Sequence, residues 1–412
     1  MTLRKWFWIA VIAIPLILAA IAFGSSYRFG SVIVLPEPKN ATVLIDGKEV
    51  GFSSRLNPGS YQITITSPGF SPHQETVKIR ALQIKRIRAS LKKLASPKLI
   101  VAEEVDLLST DLKRNQFFYF NRQAKALFRL RFVAGAQGVG VENIPITPSV
   151  LGVLTEAAFA PDYSVAVLAD TTGSTGLYNF ARYDLLHQEF KPYDRDSRAF
   201  AFNPEGTLIY NLYRPGSERT LVRSERSREK IERLIDLKDA GINDAKLAIS
   251  PDGNSILMND GKAAYLAVIT TKKISKVADQ ISTSIFLGND RLLVTRDGEL
   301  ELIQFQIVTT GSGKELGTIK LGQAIKLGLK GSASDMALLD DRITGIFEPF
   351  DSSRPAVLAQ GKQFGSYDLK TNRLLTLKLA DELPEGSHQF RIDETGKNIV
   401  FIAQGKLWWL EL

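Results

Sequence analysis

The segment Ala248-Ile249-Ser250-Pro251-Asp252-Gly253 decides the fold of this chain because it recurs along the sequence. Residues 201–206 (AFNPEG) and 158–162 (AFAPD) are copies of it, and the prolines of successive copies are 43 and 47 residues apart. A short apolar segment follows each copy. A repeated phrase with a period of this length is the signature of a repeat architecture, so the sequence predicts one structural unit per copy.

Further phrases divide each unit into several strands. Weaker copies of the repeat stand before apolar segments at residues 286–290, 331–335 and 389–396. Turns such as Asp260-Gly261 follow a few residues after a copy, and they favour hairpins because glycine readily adopts the positive φ that such turns need. The phrase at residues 367–371 (YDLKT) marks another strand and its turn.

A unit of about 45 residues with several strands is typical of a β-propeller blade. The phrases SPDG and YDLKT resemble the WD40-like repeats of bacterial TolB-type propellers. Residues 98–412 therefore predict a propeller of about seven blades, with six and eight left open. Pairing of residues 99–101 with residues 408–412 would close the ring and remove its exposed sheet edge.

Residues 31–94 predict a small β domain of their own. Apolar and polar residues alternate with a period of two around Val32, Val43, Ile63 and Val77, which indicates strands with one buried face. Turn-forming residues separate these strands, and each turn contains a glycine. The tight turns and short strands indicate a compact sheet structure.

The order of these elements resembles the PEGA domain, a small β-sandwich-like module of prokaryotic surface proteins. Residues 38–41 (PKNA) occupy the place of the naming tetrapeptide, with Asn40 in place of glycine. Asparagine is the residue that best tolerates a left-handed backbone after glycine. Residues 43–47 (VLIDG), 56–61 (LNPGSY) and 68–70 (PGF) follow in the family order. The resemblance implies an envelope setting and carries no catalytic residue.

An uncharged apolar run, residues 6–23, predicts a transmembrane anchor. As a helix it would rise about 27 Å, close to the thickness of a hydrocarbon core. The alternative is a signal peptide, because Arg4 and Lys5 precede the run and a small-x-small cleavage site lies near Ala22. The chain would then be secreted after cleavage. In both interpretations the bulk of the chain is extracytoplasmic.

Positive charge is concentrated in the first hundred residues, which carry fourteen Lys or Arg and four Asp or Glu. The rest of the chain is nearly neutral, so the high overall pI does not indicate a nucleic-acid partner. A basic run without acidic residues predicts a contact with an anionic surface, either lipid headgroups or wall polymers. The plainer alternative is a last strand with solvated basic side chains, and a third interpretation is a basic amphipathic helix. The candidate contact residues are Lys85, Arg86, Arg88, Lys92 and Lys93.

Two other segments have plain interpretations. Residues 214–233 hold seven basic and four acidic residues, and this mixture favours self-compensating pairs on the surface. The pair Trp408-Trp409 could bind a sugar, but adjacent strand positions face opposite ways. We therefore expect one tryptophan to pack between blades and the other to be exposed.

No motif predicts catalysis, a metal site or a cofactor. The chain has no cysteine, and no histidine has a partner at metal-ligand spacing. The glycine-rich segments 135–140 and 311–314 lack the spacing of a phosphate-binding loop. A propeller can still assemble a site from one residue per blade, and such a site leaves no local motif. The three histidines, all expected in turns or at strand starts, are His73, His187 and His388.

The sequence thus predicts an all-β, single-pass membrane protein without a cofactor. Its predicted function is extracytoplasmic binding or scaffolding, in which the propeller recognises a protein or an envelope glycan. The alternative is an envelope hydrolase or lyase with a site in the propeller channel. The predicted segments are a cytoplasmic tail (1–5), the anchor (6–23), a linker (24–30), the PEGA-like domain (31–94) and the propeller (98–412).

Overall fold

The computed structural model describes most of the chain in two compact units. Unit 1 comprises residues up to Ser96 together with Lys378–Glu382, and unit 2 comprises Pro97–Leu377 and Leu383–Leu412. Every buried apolar side chain of the described residues lies between Val32 and Leu410. The described residues are 14–15, 29–111, 116–135, 138–147, 153–171, 179–185, 189–192, 196–226, 230–308, 316–339, 342–349, 363–371, 373–377, 379, 381–393 and 397–411.

The predicted anchor, residues 6–23, lies outside the described residues except at Ile14 and Pro15. Within the part of the chain that the structure describes, no helix is long and apolar enough to cross a bilayer.

Unit 1 is a sandwich of two β-sheets. Its strands are β1 (Gly30–Glu37), β2 (Thr42–Ile45), β3 (Lys48–Val50), β4 (Ser53–Leu56), β5 (Gly59–Thr66), β6 (His73–Ile79) and β7 (Ile84–Ser90). One sheet has the order β4-β1-β7 and the other has the order β3-β2-β5-β6. In the first sheet, β1 is antiparallel to β4 and parallel to β7.

The core of unit 1 lies between these two sheets. Because successive strand residues point to opposite faces, every second side chain is buried, as the period-two pattern predicts. Both sheets contribute to the same cluster of buried residues. Its members include Val32, Val34, Val43, Ile45, Ile63, Ile65, Val77, Ile79, Ile87 and Ala89.

Two turns of unit 1 use the glycines that the sequence singles out. Asp46 and Gly47 join β2 to β3 with φ values of 49° and 80°, and Gly69 has a φ of 75°. Asn40 is not among the residues with positive φ. The left-handed tolerance of asparagine is therefore not what its position requires.

Unit 2 consists of short strands, and its described residues include one 3-10 turn, Ala333–Asp335. Most of its strands are four to eight residues long. The strands are, in chain order, β8 (Lys98–Val101), β9 (Val105–Asp111), β10 (Gln116–Asn121), β11 (Ala126–Gly135), β12 (Gly138–Pro145), β13 (Val153–Phe159), β14 (Val165–Thr171), β15 (Asn179–Asp184), β16 (Glu189–Pro192), β17 (Ser197–Phe202), β18 (Leu208–Tyr213), β19 (Thr220–Glu225), β20 (Ile231–Asp236), β21 (Lys246–Ile249), β22 (Ser255–Asn259), β23 (Ala263–Val268), β24 (Lys273–Asp279), β25 (Ile281–Phe286), β26 (Arg291–Arg296), β27 (Glu299–Ile307), β28 (Ile319–Leu321), β29 (Ile325–Lys330), β30 (Met336–Leu339), β31 (Arg342–Pro349), β32 (Gln363–Asp368), β33 (Arg373–Thr376), β34 (His388–Ile392), β35 (Asn398–Ala403) and β36 (Lys406–Glu411).

These strands form antiparallel meanders of four. Four sheets contain β9–β12, β13–β16, β17–β20 and β21–β24, and a fifth contains β34–β36 with β8. The remaining strands form one nine-stranded sheet, because β29 pairs with both β27 and β31 and so joins two meanders, β25–β28 and β30–β33. When these two are counted separately, the described strands of unit 2 form seven sets.

The meanders are arranged in a closed ring. The first strand of each set lies beside the first strand of the next, from β9 through β13, β17 and β21 to β25. The 3-10 turn contacts both β25 and β34, and β34 in turn contacts β9. The first strand of the unit, β8, pairs antiparallel with the last, β36, as predicted. This closed ring of meanders is a β-propeller.

The repeat phrases form the turns that join the first strand of a meander to its second, such as β17 to β18 and β21 to β22, and we call these turns corners. Gly206 and Gly253 have φ values of 71° and 73°. A side-chain atom on Gly206 would lie 3.2 Å from Cδ of Pro161, and one on Gly253 would lie 3.4 Å from Cδ of Pro204. The glycine of one copy thus packs against the proline of the preceding copy, in a neighbouring meander. In the first copy Tyr163 takes the glycine position with a φ of 51°.

Candidate binding surfaces

β7 is an edge strand of the three-stranded sheet in unit 1, and it carries three of the predicted contact residues. Ile87 and Ala89 are buried in the core, so Arg86 and Arg88, which alternate with them, lie on the outer face. Lys85 has the same parity as Ile87 but is exposed at the start of the strand. The segment is a strand, and its interpretation as an amphipathic helix is wrong.

The other two predicted residues, Lys92 and Lys93, follow β7. The backbone N–H of Ser71 donates to the carbonyl oxygen of Lys92 (2.8 Å), and Lys93 forms a β-bridge with Phe70. All five predicted side chains are exposed. None of them forms an ion pair with another residue that the structure describes. Their contact with an anionic surface stays a prediction.

Residues of three strands share the solvent side of this sheet, which we call the outer face. The strand registers pair Ser31 with both Arg55 and Ile84, Ile33 with Arg86, and Leu35 with Arg88. Arg55 is a basic residue that the sequence did not single out, because it lies about thirty positions before the basic run. The outer face consists of Ser31, Ile33, Leu35, Glu37, Ser53, Arg55, Ile84, Arg86, Arg88 and Ser90.

Large apolar side chains are exposed at one end of the outer face. Because β1 and β7 are parallel, both begin at this end. Ile84 is 64% exposed, and the preceding Leu82 and the residue before β1, Phe29, are 59% and 40% exposed. The N–H of Leu82 donates to the carbonyl oxygen of Phe29 (2.9 Å), so these two residues are neighbours. The period-two pattern that continues through Leu82, Ile84 and Arg86 is the signal that could have indicated this face.

Unit 2 contains a cavity of about 770 Å³ between the first strands of three successive meanders. These strands are β17, β21 and β25, and the turn after β22 and the 3-10 turn complete the lining. The lining residues are separated by as many as 136 positions in the sequence. No local motif could have indicated this cavity.

Polar groups are spread over the wall of the cavity. The side-chain amide of Asn259 donates to Oγ of Ser284 (3.1 Å) and to the carbonyl oxygen of Ser282 (3.4 Å). The carboxylate of Asp260 accepts two backbone N–H groups of its own turn. Lys246 is exposed and forms no ion pair with a described residue. The described lining thus combines hydroxyl and amide groups with the carboxylates of Asp244 and Asp260 and the cations of Arg198 and Lys246.

Irregular backbone marks several of the first strands. The registers of β13, β17, β25 and β34 against their partners each shift once, as in a β-bulge. Ala199 on β17, which lines the cavity, has a φ of 46° at such a shift. Bulges redirect side chains and are over-represented beside binding and active sites.

The segment of mixed charge, residues 214–233, forms compensating pairs as predicted. Arg223 pairs with Glu232, Arg233 pairs with Glu218 (2.8 Å), and Arg226 pairs with Asp162 (3.1 Å). Hydrogen bonds from the Arg233 guanidinium and the Thr220 hydroxyl hold the pKa of Glu218 below its usual range. Two of these pairs lie within the segment, and the third joins it to Asp162.

One member of the tryptophan pair packs as predicted, whereas the other is half-buried rather than exposed. Trp409 is 4% exposed, and its ring centroid lies 4.8 Å from that of Phe132 on β11. The ammonium group of Lys98 lies 4.6 Å from the centre of the same ring. Trp408 is half-buried, and its indole N–H donates to the carbonyl oxygen of Ala403 (3.3 Å). Trp409 is therefore a packing residue at the ring closure.

The other residues considered for chemistry are dispersed. His73 and His388 each begin a strand, and His187 lies outside the described residues. The segment 135–140 belongs to the hairpin of β11 and β12 except at residues 136–137, which lie outside the described residues together with 311–314. Among the residues that the structure describes, no group of three or more His, Asp or Glu could hold a metal ion.

The first unit matches a known domain family. Residues 29–95 match the PEGA domain. No curated protein matches the chain. The match covers a small part of the chain, and the resemblance seen in the sequence is confirmed for that part.

Solved structures of propeller proteins are similar to the chain at low identity. TolB from Acinetobacter baumannii is 14% identical over 59% of this chain, with a TM-score of 0.36, and the tricorn protease is 13% identical over 86%, with a TM-score of 0.45. U3-55K is 11% identical over 77% of this chain and 98% of its own, with a TM-score of 0.48. The chain spans 56% of TolB and 37% of the tricorn protease chain. Since these TM-scores lie below 0.5, the propeller assignment rests on the strand order and register of this chain.

Proposed function

We propose that this chain, with a PEGA domain at residues 29–95 ahead of a β-propeller, is a membrane-tethered extracytoplasmic scaffold whose propeller binds a protein partner. The single observation that carries the proposal is the cavity between β17, β21 and β25. Concave sites with a few convergent polar groups are the usual binding sites of proteins. A fold alone does not fix a function, so the argument rests on the cavity and its wall.

The wall of the cavity suits an extended polypeptide segment. Such a segment presents N–H and C=O groups at regular intervals, and the hydroxyl groups of Ser282 and Ser284 can donate to them or accept from them. Apolar side chains between these groups, among them Leu247 and Ile285, offer contact area for partner side chains. Lys246 provides a cation for a carboxylate of the partner. An envelope glycan is the alternative ligand, since hydroxyl and amide groups also bind sugars.

The tether and the location are part of the same proposal. The uncharged residues 6–23 support an anchor by their length and composition. Arg4 and Lys5 before them favour a cytoplasmic amino terminus, which places both units outside the membrane. The basic residues of unit 1, Lys85 to Lys93, would then hold the protein close to an anionic envelope surface.

Site-specific crosslinking tests the proposal. A photoreactive amino acid at Ser282, which is exposed in the cavity wall, should give a discrete adduct with an envelope protein in intact cells. The matched control places the same amino acid at Gln306, which is exposed on β27 and does not line the cavity. Lys246→Glu should weaken the adduct at Ser282. Equal adducts from both positions, or none from Ser282, would contradict the proposal.

The enzymatic alternative predicts a different result. A hydrolase or lyase would degrade purified wall glycans or envelope peptides when the extracytoplasmic residues 25–412 are added alone. We expect no turnover, and we expect that filling the cavity with Ser282→Trp abolishes the adduct of a second photoreactive residue at Ser284. Turnover of these substrates that Ser282→Trp abolishes would show that the protein is an enzyme and not only a scaffold.

A further inference from the structure

We propose that the outer face of unit 1 docks on an anionic lipid bilayer, with its cations at the headgroups and its apolar end in the interfacial region. The proposal rests on the membrane tether proposed above and names the surface that unit 1 contacts. It does not involve the propeller cavity, so either proposal can fail without the other.

Charge on this sheet is nearly all of one sign. The strands β1, β4 and β7 contain four basic residues, and Glu37 at the end of β1 is their only acidic residue. Arg86 pairs with Ile33 on β1, and Arg88 pairs with Leu35 on the same strand. Arg55 and Ile84 flank β1 from opposite sides, because both pair with the same β1 residue. The basic residues form no ion pair with other described residues. Unpaired cations on one surface attract anionic lipid headgroups.

Exposed apolar side chains distinguish this face from a simple basic patch. Phe29, Leu82 and Ile84 lie together at the end where β1 and β7 begin, and Leu35 on the same face is 46% exposed. Long arginine side chains can also lay their apolar stems along such a surface while the guanidinium stays in water. A face with both features binds interfaces through apolar area and charge together, as amphipathic interfacial helices do.

The length of the preceding chain fits this placement. Five residues separate Phe23, the end of the apolar run, from Phe29, so the two are six Cα–Cα steps apart. Even a fully extended chain of that length spans only about 20 Å. If residues 6–23 span the bilayer, the apolar end of the outer face is held within that distance of the membrane surface. A soluble wall polymer would not require apolar residues at this end. We therefore assign the anionic surface that the outer face contacts to lipid headgroups.

Vesicle co-sedimentation with residues 25–412 tests the proposal. All described core residues lie within this segment, so it retains both cores of the protein without the apolar run. The protein should bind vesicles containing phosphatidylglycerol and should not bind vesicles of phosphatidylcholine alone. Arg86→Gln with Arg88→Gln should weaken binding about 25-fold, since each basic residue near an anionic surface contributes about a fivefold factor.

The matched control changes charge on the other sheet of the same unit. Lys48 on β3 and Lys78 on β6 are exposed, so Lys48→Gln with Lys78→Gln removes the same charge from a different face. We expect this variant to bind within twofold of the unchanged protein. Equal losses in the two double variants would show a non-specific charge effect and would overturn the assignment of the outer face.

Vesicle binding at high salt measures the contribution of the exposed apolar residues separately. Leu82→Ser with Ile84→Ser should remove the fraction of vesicle binding that survives high salt, because salt screens the charges but not the apolar contact. Ile231→Ser and Leu375→Ser, which change exposed apolar residues of unit 2, should leave that fraction unchanged. Binding lost completely at high salt in the unchanged protein would overturn the interfacial contact. Binding to a purified anionic wall polymer, without binding to vesicles, would overturn the lipid assignment.

Discussion

At the scale of the residue, one position forms the hydrogen bonds across the repeat turn, although its side chain differs between copies. The residue before each repeat proline, or its equivalent, closes the same backbone hydrogen bond in four copies, from its N–H to the carbonyl oxygen five residues later. In three of them its side chain adds a second bond across the turn. Oγ of Ser250 accepts from Ser255 N–H (2.9 Å), Oδ1 of Asn203 accepts from Leu208 N–H (2.8 Å), and Asp393 accepts from the Asn398 amide (2.6 Å).

This geometry explains why even weak copies of the phrase predict a turn correctly. Ser, Asn and Asp differ as letters, but each offers a short side-chain oxygen to the same kind of donor. The residue three positions later has a positive φ in all three strong copies, and it is glycine where it packs against the proline of the preceding copy and Tyr163 in the first copy. The sequence could therefore predict where the corners lie, but not that Gly253 and Pro204 touch.

Gly253→Ala should destabilise the protein by about 1–2 kcal/mol, because alanine must adopt a left-handed backbone at a φ of 73°. Gly206→Ala should cost more, since its added carbon would lie closer to a proline. Urea unfolding measures both free energies. The control is Gly140→Ala, whose added carbon would have its nearest neighbour at 3.7 Å and whose φ is not positive. A loss for Gly140→Ala equal to that for Gly253→Ala would contradict the account of the corner.

At the scale of the element, the hairpin turn after β32 depends on a charged carboxylate. Backbone N–H groups of Thr371 and then Lys370 hold the pKa of Asp368 below its usual range. A carboxyl whose pKa is lowered in the folded state contributes stability above its unfolded pKa. That contribution is lost as the pH falls through the lowered folded pKa.

Asp368→Asn should therefore remove part of the acid sensitivity of the fold. We expect the free energy of unfolding of the unchanged protein to decline more steeply than that of the variant as the pH falls below about 4, the ordinary pKa of an Asp carboxyl. Urea titrations at a series of pH values compare the two slopes. A steeper decline in the variant would show that Asp368 does not support this turn.

The strands β8 and β36 close the ring, and Trp409 fixes their position. Trp409→Ala should destabilise the protein by about 3–5 kcal/mol, because it empties a buried site between β8, β36 and Phe132. The neighbouring Trp408→Ala is the matched control and should cost less than half as much, since this side chain is only half-buried. Far-ultraviolet circular dichroism in guanidinium follows both transitions. Equal losses would indicate that the closure does not depend on this packing.

Strand positions were predictable where a phrase or an alternation marked them, and pairings were predictable between neighbours in sequence and at the ring closure, which a propeller requires. The strands of unit 1 and the closure by residues 99–101 follow from such patterns. The joining of two meanders by β29 does not, since β29 pairs with strands on both sides of it. The parallel pairing of β1 with β7 also depends on the whole sandwich. The sequence therefore could not predict which residues share the outer face.

At the scale of the whole molecule, function is assigned to surfaces that no single segment contains. The cavity takes its wall from β17, β21 and β25, and the outer face takes its residues from β1, β4 and β7. The sequence could predict the class of each surface, a propeller face and a basic strand. It could not predict which residues meet there, because their meeting depends on ring closure and sheet pairing.

The central claim is that the propeller recognises a partner in the envelope. Co-sedimentation of purified residues 25–412 with isolated cell envelopes across a salt series tests it most directly, with residues 25–98 as the comparison. The core of that fragment is complete, since its buried cluster lies between Val32 and Leu91. Both proteins carry the outer face, so both should show some membrane binding. The account predicts that residues 25–412 show an additional saturable component at high salt, which residues 25–98 lack and which Ser282→Trp removes. Equal binding of the two proteins across the salt series would contradict the claim.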